Sequence, residues 1–432
     1  MTMSRRQFAG ASLAASTLMA VPTILSADDK PSERVTVGVM GLSRGMSLAR
    51  TFGSAKSVKV KYVCDIDQDR MRSGVSGLEQ STGQVAEGIT DFRRILDDKE
   101  CDVLICAAPN HWHAPATILG VSAGKHVYVE KPCSHNPWEG ETMVAAARKY
   151  DRAVQMGSQR RSGKGYQEAI QKLHGGIIGN VYSSRSWYNN LRPTVGTGNP
   201  ATPPAQMDYE LWQGPAPRAP YYDNRFHYNW HWFWHYGNGE LGNNGIHALD
   251  ICRWGLDVTF PTRVASTGGR YRYNDDQQTP DTHTALFEFP GGKHASWEGL
   301  SCNKHRLNSS SGDRANAFVA FYGDNGALEI DASGKYKVFD GNDKLIEEGG
   351  EAMKDSDHIE NFLAAIRTGQ HTNLNAEIEK GHRSTMLCHL GNIAYRTGRT
   401  LNCSAENGHI LNDEAAMNLW KREYEPGWEP KI

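Results

Sequence analysis

Gly41-Leu42-Ser43-Arg44-Gly45 and, 24 positions after Gly41, Asp65 make the first combination in this chain with an evident chemical use. A glycine turn opening a helix offers backbone N–H groups and the helix N-terminus to a pyrophosphate, and a carboxylate at that distance can accept both hydroxyls of an adenosine ribose. Asp65 favours NAD over NADP, because a 2′-phosphate beside it would be repelled. The turn is irregular: against G-x-G-x-x-G, Ser43 holds the second glycine place and the loop looks one residue short. A second concentration of chemistry is the segment Leu191 to Gly239, Pro-rich at first and then crowded with rings from Tyr221 to Tyr236. Sugars stack their C–H faces on aromatic rings and need polar partners at the rim, so such a loop suits a carbohydrate. His231, Trp232 and His235 are the expected substrate contacts there, and Arg160 either reaches the cleft mouth or remains, with Arg161, a solvated pair. His227, His231 and His235 are four apart, but no carboxylate shares their spacing and no metal is expected.

These residues need elements to hold them. Val35 to Met40 reads as a strand running into the Gly41 turn, with a helix over Ser47 to Phe52. Further strand-like runs are Val58 to Cys64, Cys101 to Ala108 and His126 to Val129, with helical segments between them. Strands alternating with helices predict a doubly wound parallel sheet of Rossmann type, an α/β arrangement that binds ligands at the carboxyl ends of its strands. Asp65, Pro109, Asn110, His113, Glu130 and Lys131 all fall at or just beyond such ends. The pattern changes at Val154. Runs at 262–271, 282–289, 294–300, 318–322 and 327–331, with Pro290-Gly291-Gly292 as a hairpin turn, predict an α+β domain with a large, open, mostly antiparallel sheet. Helices are expected at Tyr166 to Leu173, His358 to Arg367 and Ala376 to Thr397. The expected division is 1–30, 31–153 for the nucleotide half and 154–432 for the second half, with the aromatic insert at about 191–239.

With 432 residues, 39% hydrophobic and 22% charged, the chain is too apolar for disorder and too polar for a multi-span membrane protein. A net charge of -2 gives no footprint for nucleic acid. Ser4-Arg5-Arg6-Gln7-Phe8, the apolar run Ala9 to Leu25 and Ser26-Ala27 resemble a twin-arginine export signal rather than a stable membrane span. That implies export by the twin-arginine machinery to the periplasm, or tethering by the uncleaved signal. Cleavage near Ala27 removes two arginines and no acid, so the charge moves only to -4. The eight cysteines contain no C-x-x-C pair and are expected to be buried free thiols.

Taken with Ala108-Pro109-Asn110-His111-Trp112-His113, Glu130-Lys131-Pro132 and Gly245-Ile246-His247-Ala248-Leu249-Asp250, the Gly41 turn resembles the glucose-fructose oxidoreductase, inositol dehydrogenase and rhizopine-catabolism (Gfo/Idh/MocA) family. The resemblance implies oxidation or reduction of a secondary hydroxyl or ketone of a sugar, cyclitol or glycoside with NAD, and an open sheet that often builds homo-oligomers. It implies that Lys131 lies beside the nicotinamide and polarises the reacting oxygen. The family's D-x-x-x-H reads here Asn243 to His247, so an amide stands where a proton-accepting carboxylate is usual. Base work then shifts to His247 with Lys131 as its partner, and Asp250 is structural. Export, where free nicotinamide cofactors are scarce, implies a cofactor that arrives bound and does not dissociate. Two other readings remain: glycoside cleavage through transient oxidation, although such relatives often lack the lysine that this chain retains, and a carbohydrate-binding protein without catalysis.

Overall fold

The structure, a computed structural model, describes residues 34–305 and 317–432, so the export segment expected from Ser4 to Lys30 lies outside the described residues. Strands β1 (Val35–Met40), β2 (Val58–Cys64), β3 (Glu87–Ile89), β4 (Val103–Cys106), β5 (His126–Val129) and β6 (Val154–Met156) form one sheet. Their order is β3-β2-β1-β4-β5-β6 and every pair is parallel. Strands β4 and β5 are buried at every residue, which is why they read as continuous apolar runs rather than alternations. The order reverses between β1 and β4, and a crevice opens there at the carboxyl ends. Helices α1 (Arg44–Gly53), α2 (Gln68–Thr82), α3 (Arg93–Asp97), α4 (Asn110–Ser122) and α5 (Pro137–Lys149) connect the strands. Local chemistry fixes their ends. The Asp67 carboxylate accepts from the Asp69 and Arg70 amides to start α2, and Gly83 at φ +72° stops it.

Strand β6 falls just past residue 153, where the pattern shift suggested a boundary, because Val154–Met156 is wholly buried and pairs with β5. Beyond it come α6 (Lys164–His174), β7 (Val181–Leu191), α7 (Tyr209–Gln213), α8 (Ile246–Leu256), β8 (Arg263–Gly269), β9 (Thr282–Glu288), β10 (His294–Leu300) and β11 (Cys302–Asn303). These are followed by β12 (Ala317–Gly323), β13 (Gly326–Asp331), β14 (Tyr336–Asp340), β15 (Leu345–Gly349), α9 (Asp355–Thr368), α10 (Ile378–Thr397) and β16 (Leu401–Asn402). The second sheet runs β15-β14-β13-β12-β7-β10-β9-β8-β16, with β11 beside β7. It is antiparallel except where β10 meets β7. The Pro290-Gly291-Gly292 turn joins β9 to β10 as expected, with both glycines at positive φ and the Phe289 amide donating to Lys293 O at 2.8 Å. Helices α8 and α10 bury Leu249, Cys252, Leu387 and Leu390 against Phe287, Trp297 and Phe321 of the sheet.

The two halves are stitched together. Helix α9 comes late in the chain, yet Ile359, Phe362 and Leu363 sit in the core of the first sheet, with Phe362 edge-on to Phe52 and Tyr128. Glu377 bridges Gln155 of β6, and the Met156 amide donates to Ala376 O at 3.0 Å. All eight cysteines are free thiols, and only Cys302 is not fully buried. Among the described residues no helix is long and apolar enough to cross a membrane.

Candidate active site

A cleft of about 500 Å³ follows the crevice and continues toward the second half. At its nucleotide end Gly41 has φ +86°, and a Cβ there would lie 2.7 Å from Ala107 O, so the turn tolerates only glycine. The Ser43 side chain does not cap α1, which leaves the first-turn N–H groups of this ten-residue helix without a side-chain partner. Asp65 closes β2 and lines the cleft, its two oxygens accepting from the Leu42 amide at 2.9 Å and the Asp67 amide at 3.1 Å. Burial raises its pKa while those amides and Arg70 pull it back. A glycine cradle, an uncapped helix start and a carboxylate that still has lone pairs fit an adenine dinucleotide.

Gly41, Leu42, Ser43 and Arg44 line the cleft as expected, but Gly45 does not. Gly45 serves packing, since a Cβ there would stand 3.1 Å from Val39 and 3.2 Å from Ala107. Arg44 is a wall residue whose guanidinium is already engaged: Nε donates to Glu130 at 3.2 Å and Nη2 to Asp355 at 2.8 Å.

At the other end, Lys131 Nζ donates to Asn243 O at 2.9 Å and to Asn243 Oδ1 at 3.2 Å. Burial lowers the Lys131 pKa, opposed by Glu130 and Glu240. Asn243 sits in a π-helical turn, Leu241–Gly245, that runs into α8. Such a turn widens the helix locally and re-aims a side chain. One turn on, His247 lines the cleft with no hydrogen bond among the described residues. Burial, reinforced by Arg160, Lys131 and Arg44, holds its pKa well below the ordinary 6.5, so the ring is neutral at neutral pH. Pro109, Asn110 and His113 also line the cleft. The His113 ring nitrogens lie 2.6 Å from Pro132 O and 2.7 Å from Ala108 O, tying the loops after β4 and β5 together behind Lys131.

The sequence reading missed Glu240, three residues before Asn243. Its buried carboxylate pairs with Arg192 through Oε2 at 3.1 Å and accepts from Asn243 Nδ2 at 3.5 Å, placing negative charge near Lys131 where the motif itself supplies none. The interval of three was a visible signal. Tyr228 belongs to the ring-rich stretch from Tyr221 to Tyr236 but was not among the expected contacts; its hydroxyl accepts from Asn243 Nδ2 at 3.3 Å. Asp250 is structural, as expected: Arg161 Nε donates to both of its oxygens at 2.9 Å, and Ser384 Oγ donates at 2.5 Å. Arg160 and Arg161 therefore part company, Arg160 lining the cleft and Arg161 buried in that pair.

Within the insert the expectations need correction. His231 lines the cleft, stacked on Trp230 with ring centroids 3.6 Å apart. Trp232 and His235 do not. Trp232 packs with Val195 and Phe233 under Arg192, and His235 Nε2 lies 2.9 Å from Pro217 O on a separate surface. The segment is not an α-helix: Asn229–Trp232 forms a single 3₁₀ turn, so a spacing of four does not align side chains. No metal-binding group of three ligands occurs among the described residues.

Residues 35–158 match a family model described as oxidoreductase family, NAD-binding Rossmann fold. Residues 188–285 and 322–430 match one described as oxidoreductase family, C-terminal alpha/beta domain. Inositol 2-dehydrogenase of Salmonella typhimurium is 30% identical over 146 residues, which is 34% of this chain and 41% of that protein. A glycosyl hydrolase family 109 protein of Saccharopolyspora erythraea is 26% identical over 167 residues, 37% of this chain and 36% of that protein. The matches thus span well under half the length of these relatives. The solved levoglucosan dehydrogenase in complex with NADH and levoglucosan superposes with a TM-score of 0.64 at 17% identity, covering 85% of this chain and 99% of that one. That likeness is one of fold.

Proposed function

The chain belongs to the Gfo/Idh/MocA oxidoreductase family, and from that premise we propose that it oxidises or reduces a secondary hydroxyl or ketone of a sugar or cyclitol with retained NAD. One observation carries the proposal: Lys131, Asn243 and His247 line the same cleft as the Gly41 turn and Asp65. The Gly41 turn and the α1 N-terminus would hold the pyrophosphate and Asp65 the adenosine ribose. NAD, when bound, supplies the hydride acceptor.

The remaining work falls to this chain's side chains. An ammonium has three donors, and Lys131 directs two at Asn243, which leaves one for the substrate oxygen. As the hydroxyl is oxidised, the neutral His247 accepts its proton while the Lys131 ammonium stabilises the alkoxide. In the reverse direction His247 returns the proton. Desolvation lowers the pKa of both groups, which keeps the His247 ring neutral and free to accept a proton. The walls beside them, Tyr228, Trp230 and His231, offer rings for a sugar face and polar edges for its hydroxyls. Export through the twin-arginine route, with the cofactor already in place, belongs to the same proposal and rests on the Ser4 to Ala27 sequence.

The glycosyl hydrolase relative supports a second reading, in which oxidation is transient and a glycosidic bond is cleaved without net redox. Mass spectrometry of ligands released by denaturing freshly purified protein, followed by incubation with sugars and glycosides, decides between them. Bound NAD with an absorbance change at 340 nm supports the first reading. Released aglycone without net redox supports the second. Sugar binding without turnover refutes both.

A further inference from the structure

The aromatic insert was expected to face the sugar, yet part of it, from Gln206 to His227, is attached to the nucleotide end of the first sheet. The Gln68 amide donates to Gln206 O and the Asp208 amide to Ile66 O, each at 3.0 Å, with Met207 bridging Asp67. Nearby, His227 Nε2 lies 3.2 Å from Asp67 Oδ2. These contacts fall within three residues of Asp65, at the carboxyl end of β2. A second attachment lies at the end of β4, where His111 Nε2 and Trp112 Nε1 both stand 2.9 Å from Trp212 O. Burial holds the His111 pKa well below 6.5, so this ring is neutral and donates from Nε2. Gly214, at φ +46°, lies so close to the Trp112 ring that a Cβ would collide with it. Strands β2 and β4 flank β1 on either side, so the two attachments bracket the Gly41 turn.

Between the attachments the chain is stiffened by rings. Trp212 meets Phe226 at 4.4 Å and Tyr236 at 4.5 Å, and Tyr221 stacks on Phe226 at 4.8 Å. Each such pair is worth about 0.5–1.5 kcal/mol beyond its area. Leu211, Trp212 and His227 line the cleft next to Asp65, Ile66 and Arg70.

From this we infer that the insert is a strap across the adenosine end of the crevice, that Leu211, Trp212 and His227 form part of the dinucleotide site, and that the strap must lift before the nucleotide can leave. The inference rests on the dinucleotide reading above and adds to it the cause of retention.

The test loosens the strap at residues outside the cleft. Gly214→Ala drives the strap off Trp112, and Asp208→Pro removes the amide that donates to Ile66 O. NADH release from purified protein is followed by displacement with excess NAD, and bound nucleotide per chain is counted after gel filtration. Release at least tenfold faster in both variants, with less nucleotide retained, is the expected result. Folded variants that release nucleotide within twofold of the wild-type rate overturn the strap while leaving the dinucleotide reading intact. A wild-type chain that binds no dinucleotide overturns both. Hydrogen exchange on the wild-type chain covers the case in which the variants fail to fold. The Gln68 and Asp208 amides are expected to exchange more slowly with NAD bound than after its removal, and unchanged exchange overturns the strap.

Discussion

Replacing Asp65 by Asn changes one charge with little change in volume, and its consequences can be worked out from the two amides it holds. Each carboxylate oxygen already accepts one backbone N–H, from Leu42 at 2.9 Å or Asp67 at 3.1 Å, and each has a lone pair left for a ribose hydroxyl. In the variant one oxygen becomes an NH₂ that confronts a backbone donor, which costs roughly 1–3 kcal/mol of stability. Two charge-assisted bonds to the ribose are weakened or lost. At about 1.5 kcal/mol each, NAD binding falls by about 3 kcal/mol, on the order of a hundredfold. NADP responds differently. The carboxylate that repels a 2′-phosphate is gone while Arg70 remains at the cleft wall, so the ratio of NAD to NADP affinity should shift toward NADP by at least tenfold. The assay is titration of nucleotide-free variant with NADH and NADPH, following energy transfer from Trp112, Trp212 and Trp230 in the cleft. An NADH affinity within threefold of the wild type, or an unchanged preference, refutes the assignment of the ribose to Asp65.

Asn243→Asp is expected to lower turnover at least tenfold rather than restore a family carboxylate, because the new charge would face Glu240 where Asn243 Nδ2 now donates at 3.5 Å; steady-state kinetics showing a gain would refute this. The pH profile of kcat/KM for sugar oxidation follows from two lowered pKa values. His247 must be neutral, so activity is lost as pH falls through a value well below 6.5, and Lys131 must be charged, so activity is lost as pH rises through a value below 10.5. His247→Asn should remove the acid limb, and an acid limb that persists unaltered assigns it to another group. Asp250→Ala leaves the buried Arg161 without its partner and should destabilise the fold by about 3–5 kcal/mol, seen as a lower urea midpoint. Full stability with lost turnover would instead give Asp250 a chemical role.

The parallel sheet was legible because its buried strands are unbroken β-branched runs, and the ends of those runs located Asp65, Asn110 and Lys131 directly. Asn243 and His247 were legible through the resemblance, as the places of the family's D-x-x-x-H motif. The insert was not. Its rings signalled a binding surface, but the segment is held by hydrogen bonds to parts of the chain about a hundred or more residues away, such as Trp112 Nε1 donating to Trp212 O and the Asp208 amide donating to Ile66 O. No periodicity records such contacts, so Trp232 and His235 were placed in the cleft when packing under Arg192 and against Pro217 O holds them elsewhere. Glu240 escaped for a different reason: the family motif places its carboxylate at the position of Asn243, whereas the fold supplies negative charge from the preceding turn. Strands β14, β15 and β16 are short, and β15 is half exposed, so they left little pattern to read.

Helix α9 bears on how such a molecule can move. Withdrawing Ile359, Phe362 and Leu363 from their seats would cost about 1.5–3 kcal/mol apiece, a sum comparable with the whole stability of an ordinary domain. A rotation of one half against the other would therefore have to carry α9 along with the first sheet. The seam between the halves is then crossed by the segments at the two ends of α9, which become the places where such a movement would have to bend.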